Sequence, residues 1–401
     1  MRKNKKYSFF ALLFMLWAST AFAEVVLTDT IKGSLSVRPR LEMVDGSKWA
    51  TALTNRMQLA VQAEDAFNIP GLELVLEATK VSAIVEDYNS TSTMGGNANT
   101  DQATVIDPPI TALTKAYLRY TKNNTSLIVG ERPINLNNQR FIGSVGWRQM
   151  PQTFGEISIT QKLKNKASLY GALLYRRNGI KPELNKRYKR GNLLFNSHMS
   201  ITEALDLTGY AFLLEGTHNT FGLRSSATLP VRDLDLSAVA EYAIQRDPLV
   251  KSNFSGKVET QYLNGELGAR YKQFFSKIGM EVLGEQGAGS KGFSTPLATL
   301  HAFNGWSDTL LGLASGGTTS GLKDLHITLG YKSEAVGKAM LVYHKYDSVI
   351  NGVDYGSEID VLLKKQVCKN ASLLLKAAFY QADASQFNDV SKYWVMSQMT
   401  F

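Results

Sequence analysis

The chain has 401 residues, of which 44% are hydrophobic, 20% charged and 10% aromatic, a composition that excludes a disordered chain and a polytopic helical membrane protein. Its one cysteine, Cys368, excludes an intramolecular disulfide and a multi-cysteine metal site. The formal charge of +9 comes from 44 Lys and Arg against 35 Asp and Glu, and the length suits two to three ordinary domains or one large barrel.

The first element in chain order is an export leader. Arg2, Lys3, Lys5 and Lys6 precede an apolar run over 9–17, and Ala21-Phe22-Ala23 supplies the small-residue cleavage pattern before Glu24. The run falls short of the roughly 18–20 residues that a spanning helix needs, and it is apolar all round, unlike an amphipathic anchor. Residues 1–23 are therefore read as a signal peptide and 24–401 as the mature chain. Cleavage leaves 40 cations against 35 acids, a net +5. With no zinc-finger spacing and no long basic run, nucleic acid is excluded as a partner.

From Ile31 onward the hydrophobicity alternates with period two. Leu35, Val37, Pro39, Leu41 and Met43 share one face, and Ser36, Arg38, Arg40 and Glu42 the other. The same division recurs around 53–64, 263–271 and 324–332. A soluble sandwich alternates too, so the number and spacing of segments must decide. Segments fall near 30–44, 50–64, 71–87, 111–122, 125–132, 152–163, 166–177, 191–201, 205–215, 218–228, 234–247, 257–273, 276–285, 321–334, 337–348, 354–365, 371–382 and 390–401, about 18 in all.

The connectors alternate in length. If the chain starts in the periplasm, the odd ones should be long and extracellular, and the long stretches 88–110, 133–151, 178–190, 248–256 and 286–320 all fall on that side. Short turns such as 164–166 and 334–337 fall on the other. Phe401 ends the last segment and, with Tyr393, Val395 and Met399 on its face, resembles the C-terminal signal by which bacterial outer-membrane barrels are recognised for assembly. Trp49, Tyr88, Tyr120, Tyr175, Tyr331 and Trp394, near strand ends, suit interfacial girdles. The fold expected is all-β: one transmembrane antiparallel β-barrel in the cell outer membrane, with outer-membrane lipid and the barrel-assembly machinery as partners.

Two blocks add a resemblance. Gly130-Glu131-Arg132-Pro133-Ile134-Asn135, continuing through Arg140-Phe141 to Gly146-Trp147-Arg148-Gln149, resembles the loop signature of the alginate export family of outer-membrane porins. Thr295-Pro296-Leu297, continuing to Phe303-Asn304-Gly305-Trp306-Ser307-Asp308, is similar to that family's long late loop, and Tyr343-His344 with 355–360 fits its closing strands. The resemblance implies an 18-stranded barrel with a cation-lined pore for an anionic polyuronate, in a family whose members differ in substrate.

The alternation places Arg38, Arg40, Arg56, Lys115, Arg119, Arg132, Arg176 and Arg270 inward, and the first signature block adds Arg140 and Arg148. Guanidinium forks suit bidentate carboxylate contacts, and a one-signed narrow pore concentrates counter-ions. These ten residues are the candidate pore-lining, anion-binding set for small anionic solutes or oligosaccharides. Glu42, Glu64, Glu73, Glu77, Glu266, Glu358 and Asp360 share the inward faces, so pairing across the lumen is the competing expectation. It goes with a general diffusion porin for small solutes.

The loops 133–151 and 286–320 carry Phe141, Trp147, Phe303 and Trp306 and are expected to fold into the mouth. No enzyme motif, cofactor motif or metal-ligand spacing appears, the five histidines His198, His218, His301, His326 and His344 included. A lipid-face hydrolase would need a Ser–His pair, and the strand histidines His198 and His344 have no serine partner in the sequence.

Overall fold

The computed structural model describes residues 25–401 apart from Asn165, Ala288 and Gly289. The expected leader, 1–23, lies outside the described residues. Twenty strands form one sheet, and two of them, Val25–Thr28 and Ser290–Lys291, are short additions to it. The other eighteen are β1 (Ile31–Asp45), β2 (Trp49–Ala63), β3 (Leu72–Asp87), β4 (Thr111–Lys122), β5 (Thr125–Arg132), β6 (Thr153–Lys162), β7 (Ser168–Asn178), β8 (Lys186–Ser200) and β9 (Leu205–Leu214), followed by β10 (His218–Val231), β11 (Leu234–Arg246), β12 (Lys257–Tyr271), β13 (Phe274–Leu283), β14 (Leu322–Ser333), β15 (Gly337–Asp347), β16 (Asp354–Cys368), β17 (Ala371–Gln381) and β18 (Val390–Thr400).

Each of these strands pairs antiparallel with the next, and β18 returns to β1, closing a barrel with no free edge. The seam runs from Asp45↔Ser391 to Ser36↔Thr400, and Phe401 exchanges backbone hydrogen bonds of 2.7 and 2.8 Å with Leu35. The ladder lapses only at Arg38 and Pro39, where Pro39 has no N–H to donate.

The two faces of the strands settle the choice between sandwich and membrane barrel. The outward apolar residues remain open: Leu59 is 60%, Leu267 64% and Leu329 54% exposed, which water would penalise and hydrocarbon rewards. The inward face carries the buried charges. Among the girdle candidates, Trp49 and Tyr175 are exposed as expected, but Tyr88 and Trp394 are buried. Tyr88 donates its hydroxyl to the Asp107 carbonyl, and Trp394 alternates with Lys392 and Met396 on the inward face of β18.

Connector parity holds. The long connectors 88–110, 133–152, 247–256 and 284–321 fall on one end, and turns such as 123–124, 232–233, 272–273 and 369–370 on the other. The largest boundary difference is β8, which starts at Lys186 rather than 191. Pairing with β7 jumps there from Leu174↔Asn192 to Arg176↔Arg187, and Gly191 sits at φ +84°, so a bulge breaks the alternation by which the strand would have been read.

The loops 133–152 and 284–321 turn into the barrel rather than away from it. They meet at a parallel bridge, Ile142↔Leu297, and Phe141, Ile142, Phe293 and Leu297 pack with the inward aromatics Phe154, Tyr210, Phe212 and Tyr262 in one apolar cluster. A one-turn helix, α1 (Leu311–Gly316), lies in the second loop, and its Ala314 belongs to the same cluster.

Candidate pore constriction

The constriction is built where the two inward loops reach the wall formed by β1, β2, β17 and β18. Period two sends Arg38, Arg40 and Glu42 of β1 inward, and the register sets Arg56 of β2 directly opposite Arg38. From the loop 133–152, Arg148 places Nη1 3.3 Å from Glu42 and Nη2 2.7 Å from Asp308 of the loop 284–321. Arg40 pairs with Asp107 of the connector 88–110, sits 3.3 Å from Glu42, and donates to the Trp147 carbonyl at 2.6 Å. Lys392 of β18 stands 3.9 Å from Asp308. Three cations and three carboxylates thus form one buried network that ties three connectors to the wall.

Beside it, Lys376 of β17 projects into an aromatic cage. Its Nζ lies 3.8 Å from the Trp306 ring centre, 4.1 Å from Trp147 and 5.3 Å from Trp394, the geometry of cation–π attraction. The His301 ring stacks on Trp147 at 4.6 Å. Its Nε2 faces Lys376 at 2.6 Å and its Nδ1 faces Asp308 at 2.8 Å. A neutral imidazole that accepts from the ammonium and donates to the carboxylate satisfies both contacts. Burial pushes the His301 pKa down to about 3, and Lys376 and Arg148 add to this while Asp308 opposes it. Burial disfavours the Asp308 carboxylate, but His301, Lys392 and Arg148 overcome that and hold it below the ordinary range.

On the opposite wall Arg140 makes a fork-to-fork contact with Glu281 of β13, at 2.7 and 2.8 Å, and donates to Asn304 at 3.0 Å. Burial alone would lower its pKa; Glu281 and Tyr262 raise it on balance. Glu358 of β16 accepts from the Ser307 N–H and hydroxyl at 2.7 and 2.6 Å, and Asp360 from the Trp306 N–H at 3.2 Å, so these acids hold loop backbone rather than face a solute. Gly305 between them has φ +81°, and a Cβ there would lie 2.3 Å from the Tyr346 hydroxyl.

Segment 302–309 divides the lumen. On the side of the long connectors a cavity of about 520 Å³ is floored by Ser307, Asp308 and Lys392; on the side of the short turns one of about 590 Å³ is roofed by Ala302, Phe303, Asn304 and Trp306.

Of the ten expected lumen cations, seven are ion-paired. Besides Arg40, Arg140 and Arg148, Lys115 pairs with Glu77 at 2.7 Å, Arg119 with Glu73 at 3.1 Å, Arg132 with Glu156 at 2.5 Å and Arg176 with Glu131 at 3.1 Å. Arg176 corrects the inward expectation. The registers align Glu131, Gly155 and Arg176, and a bulge between Leu174 and Arg176 has flipped the parity, so Arg176 shares the outer face with Glu131 while Arg177 takes the inward position.

Three of the ten have no carboxylate within pairing distance among the described residues. Arg270 is exposed at the end of β12. Arg38 donates only to neutral acceptors, Gln149 Oε1 at 3.0 Å and the carbonyls of Gly146, Trp147 and Arg148. The Arg56 Nε has no hydrogen-bond partner. Arg38 and Arg56 are 4% and 6% exposed.

The inward Glu156, Glu241, Glu281, Arg224, Lys376 and Lys392 stand outside the expected set, although alternation marks them equally well. Asp107 and Asp308 lie in loops, where no period exists to mark them. The hydrolase reading is corrected as well. His198 contacts Thr208 and Asp206 on the lumen side of β8 and β9, and His344 is buried beside Asp324, so neither faces lipid.

No protein-family model and no curated protein matches the chain. Solved structures do match over nearly the whole length. OccAB4 of Acinetobacter baumannii has 14% identity and a TM-score of 0.71 over 94% of this chain and 99% of that one. OpdK of Pseudomonas aeruginosa, in its structure with vanillate, has 14% and 0.71 over 92% and 98%. OccAB3 of A. baumannii has 13% and 0.72 over 92% and 99%. OpdK is described as an outer membrane protein. The chain has the fold of an outer-membrane β-barrel, closed by eighteen antiparallel strands.

Proposed function

We propose that the protein is an outer-membrane channel for small organic anions, with Arg38 and Arg56 as the carboxylate-binding pair at its constriction. The observation that carries this reading is their burial, opposite each other on neighbouring strands, with no carboxylate of the described residues within salt-bridge distance and only Glu77 acting on Arg56 from farther off. A buried cation without a counter-charge is costly, and a passing carboxylate would relieve that cost with charge-assisted hydrogen bonds from the two guanidiniums. The pairing of the other cations favours short solutes over a polymer, because a polyuronate would need a continuous row of free cations. OpdK, which shares the fold, has been crystallised with vanillate, an aromatic carboxylate.

Liposome swelling tests this. Vanillate and other small aromatic carboxylates should enter proteoliposomes faster than neutral analogues of equal size, and the paired change Arg38→Gln with Arg56→Gln should abolish the difference. Equal rates for acids and neutral analogues would make the protein a general diffusion porin. Tight block by oligouronates, stronger than by any monomeric acid, would restore the polyuronate exporter that the loop resemblance implies.

A further inference from the structure

Linear spacing gives the five histidines no metal-binding pattern, yet strand pairing produces one. β14 and β15 are antiparallel neighbours, and their register sets His326 directly opposite His344, with Asp324 two residues before His326 on the same inward face. One ligating atom from each of Asp324, His326 and His344 lies within 4.8 Å of the other two. Zinc bonds of about 2.0–2.2 Å place tetrahedral donors roughly 3.5 Å apart, so small side-chain rotations close the site.

Two independent features point to a ligand there. Asp360 on β16 is fully buried; its Oδ1 has no hydrogen-bond partner, and its Oδ2 lies 3.8 Å from His344 Nε2. All three candidate ligands also line the cavity of about 590 Å³ on the short-turn side, which leaves an open coordination position. His344 Nδ1 and Asp324 Oδ1 are 2.8 Å apart, close to the spacing of two donors on one metal, and Asp324 is oriented by Asn304 at 3.1 Å, an outer contact of the kind that metal-binding carboxylates use.

We propose that Asp324, His326 and His344 form a divalent transition-metal site in the lumen, open to that cavity, with Asp360 as the buried carboxylate behind His344. Two imidazoles and a carboxylate suit Zn²⁺, Cu²⁺ and Ni²⁺ and are poorly matched to Ca²⁺ or Mg²⁺, which take oxygen ligands. The inference does not depend on what the channel passes, and its test needs no transport.

Equilibrium dialysis of the purified barrel in detergent against Zn²⁺ should give one saturable site per chain. His326→Ala and His344→Ala should each remove it, Asp360→Asn should weaken it about tenfold, and His198→Ala should leave it unchanged. Heat-modified gel migration shows whether each variant has folded. Cobalt on the wild-type protein gives a readout free of any variant: a four-coordinate site shows intense visible d–d absorption, which competing zinc removes. Absence of saturable zinc in the wild type, zinc retained in both histidine variants, or cobalt as weakly coloured as the aquo ion would each overturn the assignment.

Discussion

Arg40 and Arg56 are neighbouring cations of the same lumen wall, yet their environments demand opposite responses to substitution. Arg40 is fully buried between Asp107 and Glu42, and Arg40→Gln leaves those carboxylates with Arg148 as their remaining cation. Breaking a buried pair on one side costs about 3–5 kcal/mol, so urea unfolding followed by tryptophan fluorescence should show Arg40→Gln destabilised on that order. Arg56 has no carboxylate of the described residues within salt-bridge distance, only Glu77 farther off, and Arg56→Gln should be close to neutral. Equal losses in the two variants would mean that the network around Asp107 is not what holds this wall. The inward position of both residues was legible from period two, whereas their difference was not, because Asp107 approaches from a connector distant in sequence. Arg176 shows the limit of alternation itself: one bulge reverses the parity beyond it, and no residue pattern at Leu174–Arg176 announces the bulge.

The two inward loops were legible as elements from their length and their load of Phe and Trp, which only packing explains. Their anchors were not, since Arg140–Glu281 and Ser307–Glu358 join residues far apart in the chain. Docking of the second loop should govern both the conductance and its dependence on pH. Deleting 290–318 removes the partition between the two cavities and should raise single-channel conductance severalfold in a barrel that still folds; an unchanged conductance would place the loop outside the permeation path. His301 must be neutral to accept from Lys376, and its pKa is depressed by burial to about 3 from an ordinary value near 6.5. A freed loop therefore binds more protons than a docked one, so docking is fully favoured above about pH 6.5 and weakens as pH falls toward 3. The Asp308 carboxylate, also depressed, adds a loss in the same direction below about pH 4. Conductance should rise reversibly on acidification from neutral pH, and His301→Gln should flatten the part of that rise between about pH 6.5 and 4. A wild-type conductance independent of pH over that interval would contradict the neutral clamp.

For the whole molecule, eighteen strands, their order and the parity of their connectors could be read from the sequence because a barrel repeats one simple rule, apolar toward lipid and polar toward the lumen, at every strand. That parity predicts the connector 247–256, where Leu249 is 74% exposed, to lie outside the cell. Protease added to intact cells should cut there and spare both the short turns and the stretch 292–310, which is packed inside the barrel. Cleavage at 232–233 or 272–273 would invert the topology. What the rule could not convey is the balance of charge in the lumen, which depends on how cations and acids find each other across the sheet and from the loops.

Arg38 and Arg56, without an ion-pair partner among the described residues, should make the constriction prefer anions. That preference is tested most directly by the reversal potential of single channels in a KCl gradient, because a fixed cation pair acts on small ions within about 8 Å at physiological salt. Chloride-selective current is expected in the wild type, moving toward potassium when both arginines are replaced by glutamine. A potassium-selective wild type, or a reversal potential that ignores the double substitution, would contradict it.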